Sequence, residues 1–378
     1  MPQRTQRSTP DFTRRFRARL ENAGFGLLVC VALLCMAFPF YWVVATSLKS
    51  SGELNERVEL HFPSMIPASF FLRTTTLEVS RKAGDANASR ELDTLIGQWH
   101  RSAAIENGSV QFRGTSGQVC LTYDTRCLTL ADLRAGISQC GVALGTIHPP
   151  RRYPFWKNYR RVFAGNPFGV DLLNSAIVST CTTLVCLVVG GFCAYAMARL
   201  SFPFRDALLA LILGVSMFPP IAVVSPLFLV LRRLHLLNTY PALIIPYTAF
   251  ALPLTIWTLT GFFRELPRDL EDSARVDGCT RLQTFFRIIV PLSAPGVFTC
   301  AILVFIFAWN EFLFALVFVT RNTMRTVPVA ITLYPGQFEM PWGTIFAAAA
   351  TVTLPLLLLV FFFQRRIIAG LTAGAVKG

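Results

Sequence analysis

Apolar positions along the chain gather into long runs separated by short charged stretches. The runs at 25–47, 172–198, 207–231, 241–263, 296–319 and 343–363 each reach the ~20 residues that a helix needs to cross ~30 Å of hydrocarbon. Five contain no Asp, Glu, Lys or Arg, and the fifth in order carries one charge, Glu311. One such run would also suit a buried core helix; six in one chain predict a membrane protein with six transmembrane helices. Arg14, Arg15, Arg17 and Arg19 precede the first run, as they would in a signal peptide. The run is longer than the ~7–15 residues of a signal h-region and ends in Leu48-Lys49 instead of a small-residue cleavage site, so it reads as a retained anchor.

Several runs contain proline: Pro219, Pro220 and Pro226 in the third, Pro246 and Pro253 in the fourth, Pro355 in the sixth. Each removes an N–H donor and can kink a helix. Proline is also commoner in membrane helices than in soluble ones, so these positions alone favour transport only slightly.

The connection between the first two runs, 48–171, is too long for a plain loop and predicts a folded insert. Leu92, Leu95, Ile96 and Trp99 recur at the spacing of an amphipathic helix. Val119, Leu121 and Tyr123 alternate with Cys120, Thr122 and Asp124 as in a half-buried strand. Thr129 and Asp132 predict the start of a second helix. Together they suggest a small α+β domain over about 65–150. Asp124-Thr125 is a candidate turn that would let Cys120 and Cys127 pair across a hairpin; three free thiols, with Cys140, is the equal alternative.

Only 15% of the 378 residues are charged and 53% are hydrophobic, and the formal net charge is +14. The basic residues sort by loop. Six Arg precede the first run, Arg199 and Arg205 lie between the second and third, and Arg365, Arg366 and Lys377 follow the sixth. The alternate loops hold Arg232, Arg233, Arg321 and Arg325. By the positive-inside rule both termini are expected in the cytoplasm and the insert outside. The charge then reflects membrane topology and calls for no nucleic-acid partner. The expected organisation is a basic N-terminus (1–24), a first helix (25–47), an external loop (48–171), a five-helix core (172–363) and a cytoplasmic tail (364–378).

The connection 264–295 reads RELPRDLEDSARVDGCTRLQTFFRIIVPLSAP from Arg264. Pro267 suits the first turn of a helix, Asp269, Glu271 and Asp272 suit its positive end, and Gly278 suits its C′ position. The expected helix has about three turns. Leu282, Phe285, Phe286 and Ile289 then predict a second, amphipathic helix closed by Pro291. The first helix is acidic, with small residues Ser273 and Ala274, unlike the Lys/Arg-rich helices that lie on membranes.

Asp272-Ser273-Ala274, Gly278, Ile288 and Val290-Pro291 resemble the EAA loop of permease subunits of binding-protein-dependent ABC importers, with Asp272 and Ser273 where the family carries Glu and Ala. Thr46-Ser47-Leu48-Lys49, Trp309-Asn310-Glu311, Pro341-Trp342-Gly343 and the C-terminal 370–378 are similar to the maltose/trehalose-type sugar permeases. The likeness covers about 1–62 and 155–378, and the insert departs from it. It implies an all-α permease fold of six transmembrane helices interrupted by the small α+β external insert. It also implies a non-catalytic subunit forming half of a translocation pathway for a di- or oligosaccharide such as maltose or trehalose. The implied partners are an ATPase subunit dimer, a second and different permease subunit, an external sugar-binding protein and membrane lipid. The resemblance assigns ATPase coupling to Glu271, Asp272, Ser273, Ala274, Asp277, Gly278, Ile288 and Pro291. It makes Gly370, Leu371, Thr372, Ala373, Gly374 and Lys377 a docking tail.

None of the four lysines, Lys49, Lys82, Lys157 and Lys377, follows a glycine, so a P-loop is absent. ATP and magnesium are therefore expected on the partner ATPase, with no cofactor on this chain. No HExxH or CxxC motif appears, and the four histidines are scattered. Glu311, with Asn310 beside it, is open to three readings: a structural or gating hydrogen bond, a place on the substrate path, or a solvated position. Trp257, Tyr247, Trp309 and Tyr334 could stack on a sugar or equally pack as ordinary membrane aromatics. Two other functions compete. A secondary transporter or channel would place several carboxylates at mid-membrane, where one candidate stands. A membrane-anchored sensor would use the insert and leave the 264–295 loop unexplained.

Overall fold

The computed structural model describes residues 11–50, 54, 66–81, 87–102, 104–113, 115–165, 167–334 and 340–373. They divide into two compact units, 1–158 with 342–347, and 159–341 with 348–378.

The first unit opens with helix α1, Asp11–Ser47, which begins well before the apolar run. Leu27, Leu28, Leu33, Leu34 and Met36 along it are exposed, an apolar surface suited to lipid. Its end is pinned from inside the unit. The Asn158 amide donates to the carbonyls of Ser47 (2.9 Å) and Lys49 (2.7 Å), and the Ser69 hydroxyl donates to that of Leu48 (2.6 Å). Asn158 thus satisfies helix-end carbonyls that have no intrahelical partner.

The rest of this unit contains an antiparallel sheet with two helices. Its parts in chain order are β1 (Leu72–Ser80), α2 (Asn87–Arg101), β2 (Ile105–Arg113), β3 (Ser116–Asp124), α3 (Leu130–Gln139), β4 (Ala143–Ile147) and β5 (Arg151–Arg152). The strand order is β2-β3-β1-β4, with β5 also on β1. Leu77 lies opposite Val119, and Thr74 opposite Thr122 with their hydroxyls 3.0 Å apart. Leu77, Val79, Val119, Leu121 and Tyr123 pack with Leu92 and Ile96 of α2 and Leu133 and Ile137 of α3 into one core. The capping box at Thr129 forms: its hydroxyl accepts from the Asp132 N–H, and its own N–H donates to the Asp132 carboxylate (2.8 Å). The Thr129 hydroxyl, which also donates to Oδ2 of Asp132 (2.6 Å), and then the Thr129 N–H hold the Asp132 carboxyl below its usual range.

The hairpin expected at Asp124-Thr125 does not form. Arg126 grips buried Asp124 through its guanidinium (2.6 Å) and lies over Phe71, turning the chain into α3. Cys120 stays on β3, its Sγ 3.9 Å from the Thr76 hydroxyl, and Cys127 is exposed; both thiols are free.

The second unit is helical. It comprises α4 (Lys157–Gly165, which starts in the first unit), α5 (Phe168–Arg199), α6 (Arg205–Ser216), α7 (Pro220–Arg233), α8 (Tyr240–Glu265) and α9 (Asp269–Val276). After these come α10 (Arg281–Leu292, with a π turn at Phe285–Ile289), α11 (Ala294–Asn310), α12 (Leu313–Phe318), α13 (Val327–Thr332) and α14 (Trp342–Ala373, whose first six residues belong to the first unit). Among the described residues four helices are long and apolar enough to cross a membrane, or six if each of two bent pairs is one span. The run 207–231, expected as one helix, is α6 and α7 meeting at 88°. Pro219 and Pro220 cause the break: neither can donate to the turn before it, and Pro220 suits a new first turn. The run 296–319 is likewise split, into α11 and α12, at Glu311-Phe312.

α5 and α8 form the centre of this unit. They approach closely at Gly190, where a Cβ would stand 2.7 Å from Cγ2 of Thr255. Small residues give membrane helices this proximity. At its N-terminal end α5 ties down the segment before α13. The Asn174 amide donates to the carbonyls of Thr323 (3.0 Å) and Arg325 (2.9 Å), and the Ser175 hydroxyl accepts from the Val327 N–H. The Tyr240 hydroxyl completes the set by donating to Oδ1 of Asn174.

Two substitutions test these cores separately. Leu121→Ala, at a fully buried central-strand position, should cost about 2–5 kcal/mol. It should raise amide exchange across β1–β3 while leaving α5 and α8 protected, as measured by hydrogen–deuterium exchange on the solubilised protein. Gly190→Leu should wedge α5 from α8 at a cost of about 1–3 kcal/mol and lower the melting temperature without altering exchange in the insert.

Candidate functional site

The connection after α8 is built from local signals that act in sequence. Leu266 is extended ahead of Pro267, which ends α8. α9 follows with Asp269, Glu271 and Asp272 in its first turn. It has eight residues, about two turns instead of the expected three, because Pro267 and Arg268 stand before the helix and not in it. Gly278 adopts φ +81°, and the N–H groups of Gly278 and Cys279 donate to the carbonyls of Arg275 (3.0 Å) and Ala274 (2.9 Å). This is the paired closure of a Schellman motif, with Gly278 at C′ as its position predicts. Thr280 then caps α10 through a box with Gln283.

Inside α10 the π turn sets which residues face inward. Phe285 and Ile289 are buried among Ala194 and Ala198 of α5, Leu259 and Phe263 of α8 and Cys300 of α11. The Phe285 ring stacks on Phe192 at 5.0 Å between centroids. Leu282 and Phe286, expected on the same apolar stripe, are exposed; Phe286 lies within the wider turn, which offsets the stripe from the regular 3.6-residue period.

The predicted coupling residues therefore divide between two sides. Glu271 and Ala274 are buried. Asp272 faces outward, 3.3 Å from Arg275 with both side chains more than half exposed, a pair worth little in stability. The Ser273 hydroxyl donates to the Asp269 carbonyl at 2.8 Å. Asp277 is the exposed C-cap, Ile288 is half-buried and Pro291 is exposed. Val276, at the tip, is 88% exposed, and with Leu282 and Phe286 it gives the outer side of the loop an apolar surface.

Glu271 meets two residues that the sequence reading did not select, Arg199 and Tyr195 of α5. In the sequence Arg199 counts only as a topology charge. An arginine closing an apolar run, with an acid at the start of the next helical loop, was the available signal.

Glu311 caps α12: its carboxylate accepts from the N–H groups of Phe314 (3.0 Å) and Ala315 (3.3 Å). Of the three open readings this geometry supplies the structural hydrogen bond. Asn310 is exposed and its amide donates to the Ile306 carbonyl. Of the expected docking tail, Gly370, Leu371, Thr372 and Ala373 belong to the last turn of α14, while Gly374 and Lys377 lie outside the described residues. Tyr247 and Trp309 are buried and Trp257 is exposed.

The model of the binding-protein-dependent transport system inner membrane component matches residues 187–372. The trehalose transport system permease protein SugB of Mycobacterium tuberculosis (strain CDC 1551 / Oshkosh) is 51% identical over 223 residues, which cover 58% of this chain and 81% of the relative. The sulfoquinovosyl glycerol transport system permease protein SmoH of Agrobacterium fabrum (strain C58 / ATCC 33970) is 45% identical over 60% of this chain and 79% of its own. The trehalose/maltose transport system permease protein MalG of Thermococcus litoralis (strain ATCC 51850 / DSM 5473 / JCM 8560 / NS-C) is 45% identical over 59% and 81%. A solved bacterial ABC transporter involved in the import of the acidic polysaccharide alginate shares the fold, with a TM-score of 0.60 and 15% identity over 94% of this chain and 99% of that one. With this identity across four-fifths of such relatives, the chain belongs to the family of binding-protein-dependent transport system inner membrane components.

Proposed function

We propose that this chain is one half of the translocation pathway of an ATP-driven carbohydrate importer, and that its 264–295 loop docks on a separate ATPase subunit. The observation that carries the reading is the two-sided build of that loop. Its inner residues, Ala274, Phe285 and Ile289, are packed into the helical unit. Its outer residues, Asp272, Val276, Asp277, Leu282 and Phe286, are offered to solvent. Apolar side chains in a rim of acids are the ordinary chemistry of a protein interface.

The substrate reading rests on relatives named for trehalose, trehalose/maltose and sulfoquinovosyl glycerol transport. A di- or oligosaccharide such as trehalose or maltose is the class proposed here. A second permease chain would complete the pathway, an external sugar-binding protein would deliver the substrate, and the loop and both termini would face the cytoplasm. ATP and magnesium would bind the ATPase partner. The sheet and helices between β1 and β5 would lie outside.

Affinity-tagged chain, expressed with the ATPase and second permease from its own transport system, should retain the ATPase through detergent purification. The reconstituted complex should take up labelled trehalose or maltose only with ATP and the binding protein present. Retention of no ATPase by the wild-type chain would overturn the assignment.

Gly278 provides a graded test of the loop. A Cβ there meets no atom within 4 Å, so substitution acts on the backbone alone, where left-handed φ costs an L-residue about 1–2 kcal/mol. Gly278→Val should therefore reduce ATP-dependent uptake severely while the chain still inserts. Gly278→Asn, which tolerates this conformation, should retain much of the activity.

A further inference from the structure

The inner end of the loop is fastened to α5 by charge. Nε of Arg199 lies 2.7 Å from Oε1 of Glu271, with side-chain exposures of 5% and 7%. Nη2 of Arg199 donates to the Leu266 carbonyl at 2.9 Å, just before α9 begins. The Tyr195 hydroxyl, one turn back on α5, donates to Oε2 of Glu271 at 3.3 Å. One arginine thus holds both the approach to α9 and its first turn, and the tyrosine occupies the second carboxylate oxygen.

Apolar side chains of similar volume would hold two helices together as well as a buried ion pair, since the pair gives up hydration to form. What the pair adds is register. Sliding or rotating α9 along α5 would leave a buried charge without its partner, whereas an apolar contact would tolerate the slip. α5 itself is 32 residues long, about 48 Å at helical rise, and without proline inside it. Its far end holds the 323–327 segment through Asn174 and Ser175.

We propose that Arg199 and Glu271 are positioning residues that make α9 and the C-terminal end of α5 one moving body, so that displacement of the docking loop is delivered along α5 to the 323–327 segment. Glu271 then acts within the permease, and Asp272 is left as the acid that faces the partner. This inference rests on the reading of 264–295 as an ATPase-docking loop.

The test uses the complete complex in vesicles and the double variant R199M/E271M, which keeps apolar volume and removes both charges. It should insert, retain the ATPase and hydrolyse ATP, while sugar transported per ATP falls by about tenfold. The charge exchange R199E/E271R should recover most of the lost coupling, which a purely structural defect would not allow. Nitroxides at Val189→Cys and Val276→Cys, with the other accessible thiols replaced, should show a narrow distance distribution in the parent and a broad one in R199M/E271M. If the double variant does not accumulate, R199K, which keeps the charge and loses the guanidinium reach to Leu266, should show a smaller fall in coupling and partial broadening.

Parent-like coupling and a narrow distribution in R199M/E271M, or in R199K where that stands in, would overturn the joint. Loss of the ATPase from R199M/E271M would overturn it too, by making the pair a partner contact. A parent chain that retains no ATPase, yet still shows the narrow distribution, would instead sink the docking assignment.

Discussion

The close approach of α5 and α8 is the constraint on which the rest of the helical unit depends. Gly190 removes the Cβ that would hold the two helices apart at Thr255. Lipid gives little hydrophobic drive for helices to associate, so such contact must come from packing. Ala194, Ala198, Leu259 and Phe263 then form the bed that receives Phe285 and Ile289, and α11 adds Cys300 to it. The loop can be rigid because the helices beneath it are already fixed to one another.

A second constraint follows from the broken helices. A break frees backbone groups that an apolar surround cannot hydrate, and near the 311–327 segment polar side chains take up several of them. Glu311 takes two N–H groups at the start of α12. Asn238, held at φ +60°, accepts from the N–H groups of Thr320 (2.7 Å) and Arg321 (2.9 Å) after that helix ends. Asn174 donates to two carbonyls just beyond. These polar residues sit inside or beside apolar runs, where each bonds backbone groups at or near a helix end.

Much of this was legible in the sequence where one local signal sufficed. Gly278 at a helix C′ position, the Thr129 cap and the alternating Val119, Leu121 and Tyr123 each declare their geometry within a few residues. The apolar runs at 172–198 and 241–263 became α5 and α8. Reading failed where the outcome depended on direction or distance. Hydropathy does not distinguish one span from two helices, so neither the 88° bend within 207–231 nor the break at Glu311-Phe312 within 296–319 is visible to it. β1, with the run Thr74, Thr75 and Thr76, was hidden because it lacks apolar alternation over that half. The adjacent acids Glu271 and Asp272 differ in role by one helical step. Helical period places Glu271 with Ala274 on the inner side, but its partner Arg199 lies on another helix and only the fold brings them together.

The construction of α9 explains why so much local chemistry surrounds eight residues. A helix of that length is marginal by itself in water. Here the Schellman closure at Gly278 fixes its end, the Thr280 box fixes the chain leaving it, and Arg199 fixes its first turn. The loop is therefore ordered by contacts within the chain itself. A segment that folded only on docking would spend binding free energy on its own ordering each time it engaged. In the proposed docking a preformed loop would spend less, and a push on its exposed face would move the packed residues beneath it instead of deforming the loop itself.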